Sequence, residues 1–118
     1  MTKVSKKNEN MLDTIPSIDC QFEQSNDGKV TLVLPRFKTK WIRKMSAKLG
    51  RSEYIKIHLD ERGSQTWQLI DGKRTVHQIG AHLEKDEDES DQQFYERLSI
   101  FIGTLTRNGW LQLKGSNY

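Results

Sequence analysis

Leu59-Asp60-Glu61-Arg62-Gly63-Ser64-Gln65-Thr66-Trp67-Gln68-Leu69-Ile70-Asp71-Gly72-Lys73-Arg74-Thr75-Val76-His77-Gln78-Ile79 decides how this chain is read. It holds the start and stop of one helix and the start of the next. Asp60 can cap the first helix, because its carboxylate accepts amide hydrogens that a first turn leaves unpaired. Gly63, Trp67 and Ile70 then fall on one face, with Thr66 and Leu69 beside it. Gly72 supplies a left-handed stop. Thr75 and Gln78 form a Thr-x-x-Gln capping box for a second helix, whose inner face is Val76, Ile79, Gly80 and Leu83.

Working outward, Tyr54 to Leu59 alternates strictly, with Ile55, Ile57 and Leu59 on one side and Tyr54, Lys56 and His58 on the other. This is a strand. Ser90 and Gln93 repeat the capping box for a third helix, with an apolar stripe at Phe94, Leu98, Phe101, Ile102 and Leu105. Asn108-Gly109 ends that helix, and Trp110 to Leu113 reads as a closing strand. Gln21–Gln24 and Val30–Leu34 read as a hairpin around Asp27-Gly28, a pair suited to a tight turn whose central residues both take positive φ. Pro35 ends the pairing. Phe37 to Leu49 has the spacing of a short amphipathic helix carrying Trp41, and Gly50 follows it. Residues 1–19 are polar, and Pro16 argues against a helix there, so they are expected to form an arm, loose at first and packing lightly later. The order predicts a winged-helix-like α+β domain. A small N-terminal antiparallel sheet precedes three helices and a short C-terminal strand. The expected layout is an arm over 1–19, one domain over 20–114 with a basic helical insertion at 36–51, and a tail at 115–118.

The chain's 118 residues suit one domain and a modest core. Cys20 is its one cysteine, which excludes a disulfide framework and a thiolate metal cluster and fits a reducing cytoplasm. The N-terminus lacks the apolar run of a signal peptide, and no segment has the length of a membrane span. The net charge of +3 hides an asymmetry: seven basic residues fall between Arg36 and Arg51, and six acidic ones between Glu84 and Asp91. The simpler reading is two solvated faces; the sharper one is guidance of an oppositely charged partner.

Chemistry-bearing motifs are scarce. There is no phosphate-cradling glycine loop and no nucleophile elbow. His77 and His82 are five residues apart, off one helical face, and His58 lies elsewhere, so no metal site is predicted. No catalytic residue and no cofactor is predicted, and the chain is expected not to be an enzyme. Two binding modes remain. A winged helix can place a recognition helix in DNA, but here that helix follows six acids that a phosphate backbone repels. Strand addition is the other: Tyr54–Leu59 could take an extended peptide as one more strand. A homodimer through the same edge stays open.

Leu59-Asp60, a helix with Gly63 and Trp67, Leu69-Ile70-Asp71-Gly72, Arg74-Thr75-Val76, Ile79, Phe101, Leu105 and Asn108-Gly109-Trp110-Leu111 occur here in one order. In that ordered set the run from Ile57 to Leu113 resembles the PqqD family, the peptide chaperones of pyrroloquinoline quinone biosynthesis and their relatives. Asp60 stands where the family usually has Asn, and the insertion at 36–51 and the long arm are additions to its pattern. The resemblance implies a recognition element for ribosomally made, modified peptides. Such an element binds the leader segment of a precursor beside its third strand and against its third helix. It then presents the precursor to a maturation enzyme, often a radical S-adenosylmethionine enzyme. Carried over, the groove-lining residues are Tyr54, Ile55, Lys56, Ile57 and His58 from the strand, and Phe94, Arg97, Leu98 and Phe101 from the helix. Ile55, Ile57, Phe94 and Leu98 suit plain core equally well. The expectation is a non-catalytic peptide chaperone with a precursor peptide as partner. Nucleic acid is the less favoured ligand, and no membrane is implied.

Overall fold

The computed structural model describes residues 11–35, 48 and 54–115. It is α+β. A 3-10 turn at Met11–Asp13 leads into β1 (Thr14–Ile18), β2 (Gln21–Gln24), β3 (Val30–Pro35) and β4 (Tyr54–His58). Helices α1 (Glu61–Gln68), α2 (Val76–Ala81) and α3 (Asp91–Arg107) follow, and β5 (Leu111–Gly115) closes the chain. The predicted basic helix of the 36–51 segment lies outside the described residues, apart from an exposed Lys48. The described residues divide into two units. One lies within Cys20–Trp67 and the other within Met1–Asp19 and Gln68–Tyr118.

The first unit is an antiparallel sheet in the order β2-β3-β4 with α1. Alternation in the sequence becomes alternation in burial: Val30 and Leu32 are fully buried and Leu34 nearly so, while Thr31 and Val33 between them are half-buried. Directly opposed residues share a face, so Phe22, Leu32 and Ile57 lie together on the inner side, as do Leu34 and Ile55. Trp67 of α1 is buried and meets Phe22 edge-on at 5.5 Å between ring centres. Asp60 caps α1 as predicted, accepting the Gly63 amide at 2.7 Å. The hairpin turn differs from expectation. Gly28 N–H donates to the Ser25 carbonyl, and Gly28 takes φ +86°, whereas no non-glycine among the described residues has positive φ. The loop is therefore a turn followed by a left-handed glycine, which needs one positive φ and not two.

The sheet and α1 are joined through one hydroxyl. Leu59 N–H donates to the Val30 carbonyl at 2.9 Å, as in a hydrogen-bonded antiparallel pair. The Val30 amide instead donates to Ser64 Oγ at 2.8 Å, and Ser64 Oγ donates to the Leu59 carbonyl at 3.4 Å. Ser64 is 2% exposed, so it stands inside the end of the ladder.

The second unit holds α2, α3 and an antiparallel pair of β1 with β5. Here the structure adds a strand to what was read as an arm. The register pairs Pro16 with Leu113, and the Asp19 amide donates to the Trp110 carbonyl at 2.9 Å. Pair type alternates along a ladder. Pro16 therefore falls at a position whose nitrogen faces away from β5, and its missing N–H costs no ladder bond. Both capping boxes are complete, Thr75 with Gln78 and Ser90 with Gln93. Asp71, before Gly72 at φ +77°, accepts the amides of Lys73 and Arg74 at 2.9 Å each. Ile79, Ile102, Val76, Leu111 and Pro16 are each less than 2% exposed in this unit. The α2–α3 contact is set by Gly80, where an added Cβ would collide with the Tyr95 ring and come within 3.1 Å of Leu98 Cδ2.

Three outcomes are expected. Ser64→Ala strands the buried Val30 amide and should destabilise by about 1–3 kcal/mol in urea unfolding, with faster amide exchange at Val30. Gly80→Ala should lose about 1–2 kcal/mol despite its better helix propensity, because overpacking against Tyr95 outweighs the backbone gain of up to ~1 kcal/mol. The amides of Arg74 and Lys73 hold the Asp71 carboxyl below its ordinary value of 3.8. A depressed folded value means the contribution of Asp71 is fully present above the unfolded pKa and is lost as pH falls through the folded one. A carboxyl-carbon NMR titration should place its midpoint below 3.8; a midpoint at or above that value would contradict the assignment.

Candidate functional site

Among the described residues β4 stands at the edge of its sheet. It pairs with β3 on one side and with no described strand on the other. Because Val30–Leu59 is of the hydrogen-bonded type and types alternate, the pairs Leu32–Ile57 and Leu34–Ile55 are of that type too. Ile55 and Ile57 thus spend their backbone groups on β3. Lys56 and His58 turn theirs to the opposite side. The predicted alternation of side chains holds as well: Lys56 opposes Val33 and His58 opposes Thr31 on the outer face, away from Leu32 and Leu34.

Burial separates the strand residues. Ile55 shares the core-facing side yet is 38% exposed, and Ile57 is half-buried. Tyr54, at the start of the strand, is 43% exposed. On the outer face Lys56 Nζ stands 3.6 Å from Glu23 Oε1, with both side chains more than half exposed, a pair worth little by itself. His58 Nδ1 lies 3.0 Å from Thr31 Oγ1.

The predicted helix residues belong to the other unit. Phe94 and Leu98 are each 5% exposed and act as core. Arg97 and Phe101 are half-buried. Arg97 grips Glu89 through two bonds, Nε to Oε2 at 3.0 Å and Nη2 to Oε1 at 2.9 Å, and its guanidinium lies 5.5 Å from the centre of the Phe94 ring. Glu89 raises the Arg97 pKa above the usual arginine range. Part of the acidic run is therefore neutralised locally; Lys85 likewise holds Asp91 at 2.6 Å.

Glu23 and Thr31 were not singled out in the sequence. They matter only because the register of three strands brings them to Lys56 and His58, and the sole local signal for that register was the hairpin turn. Among the described residues no three His, Cys, Asp or Glu side chains are grouped so as to hold a metal ion, and no helix is long and apolar enough to cross a membrane.

No curated protein and no solved structure matches the chain significantly. A family model does: that of Coenzyme PQQ synthesis protein D (PqqD) matches residues 48–111, more than half of the chain. The matched stretch contains β4, α1, α2 and α3 and ends on the first residue of β5, so β1, β2 and β3 lie outside it. With β4 and the three capped helices falling inside that match, this chain belongs to the PqqD family.

Proposed function

We propose that this chain captures a precursor peptide by strand addition along β4 and presents it to a modifying enzyme, without catalysing a reaction itself. The PqqD family is known in PQQ synthesis as a peptide-binding partner and generally as a non-catalytic accessory. The observation that carries the strand-addition reading is the position of β4 at the sheet edge among the described residues, with the main-chain groups of Lys56 and His58 turned away from β3. Main-chain bonding of this kind gives affinity for an extended segment, and alternating side chains give selectivity. The family resemblance favours a radical S-adenosylmethionine enzyme as the recipient. The α2–α3 pair followed by the β1–β5 ladder supports a winged-helix reading of the second unit.

Short random peptides displayed on phage and enriched on the full chain provide the test. Lys56→Pro removes an outward donor while leaving every β3–β4 bond its partner. It should weaken the enriched peptides about ten- to hundredfold, as the loss of ~1.4–3 kcal/mol implies. Gln24→Pro, a matching outward position on the far edge strand β2, should leave them unchanged. Equal binding by wild type and Lys56→Pro, with near-UV circular dichroism intact, would sink the proposal. So would a mass that doubles with concentration and a β4 edge occupied by a second copy.

A further inference from the structure

Resting on the strand-addition reading, we propose that β4 selects a segment carrying an acidic side chain opposite Lys56, flanked by apolar residues opposite Ile55 and Ile57. A residue directly across from Lys56 has its side chain on the outer face, with Lys56, His58 and Thr31. Its two neighbours point to the inner face, where Ile55 is 38% exposed and Ile57 half-buried. The apolar part of the pattern follows from those two isoleucines.

The acidic part follows from distance. Strands in a sheet lie about 4.8 Å apart, so an added strand sits one spacing from Lys56 and three, roughly 14 Å, from Glu23 on β2. The Glu23 side chain reaches back to within 3.6 Å of Lys56 Nζ, so the positive charge sets the sign once Lys56 turns from Glu23 towards the added strand. Lys56 is free to turn outward, because its 3.6 Å pair with Glu23 is solvent-exposed and weak. His58 adds a hydrogen-bonding group. With Nδ1 engaged by Thr31, Nε2 is the ring's other polar atom on that face.

Three synthetic peptides test this. Each alternates leucine with one polar residue, which is glutamate, glutamine or lysine, and each is titrated into the isotope-labelled full chain. Glutamate should bind about three- to fivefold tighter than glutamine and lysine weaker than both, as a cross-strand charge pair allows. Glu23→Gln, which releases Lys56, should strengthen the glutamate peptide about twofold. Lys56→Glu should invert the order. Equal affinities with shifts at the Lys56 and His58 amides would overturn the selectivity and leave strand addition standing. An absence of shifts at those amides with every peptide would overturn both.

Discussion

The Ser64 hydroxyl is the group on which the sheet unit depends. It takes the Val30 amide and gives to the Leu59 carbonyl, so α1 is hydrogen-bonded into the end of the β3–β4 ladder and not merely laid on its face. A buried amide left without a partner is costly, which fixes both the helix and the strand end. The consequence reaches β4. Once Val30 and Leu59 are locked as a pair, a slip by one residue would send Ile55 and Ile57 to the outer face and Lys56 inward. The same lock decides which main-chain groups of β4 meet β3 and which do not.

The second unit repeats its devices, where the first ties helix to ladder end through one hydroxyl. Two complete capping boxes start α2 and α3, and Asp71 gathers two amides before α2 begins. Arg74 extends that turn backwards by donating to the Leu69 carbonyl at 3.1 Å. Gly80 then lets the two helices approach until the Tyr95 ring covers it. Asp71-Gly72, a prominent pair in the sequence, is thereby explained as turn chemistry and not as a reactive site.

What could be read beforehand was local. Caps need a side chain and an amide three residues apart, and both boxes were legible from Thr75, Gln78, Ser90 and Gln93. Alternation placed Val30–Leu34 and Tyr54–Leu59 as strands and assigned their faces. β1 was missed because Thr14-Ile15-Pro16-Ser17-Ile18 contains a proline, does not alternate cleanly, and pairs with residues at the far end of the chain. Phe101 lies on the predicted stripe, but the buried face centres on Phe94, Leu98, Ile102 and Leu105, which leaves Phe101 at its margin. The Lys56–Glu23 and His58–Thr31 contacts needed a three-strand register, which no local pattern encodes.

Pro16 turns from an obstacle into a means of control. Its nitrogen faces away from β5, and the residue is less than 2% exposed, so it is packed inside this unit and not presented on an open rim. Repetitive stacking of copies into fibrils requires each ribbon to offer a usable rim on both flanks. The middle of β1 is thus closed twice, by a missing donor and by packing, and a second copy could add a strand there only by displacing buried side chains.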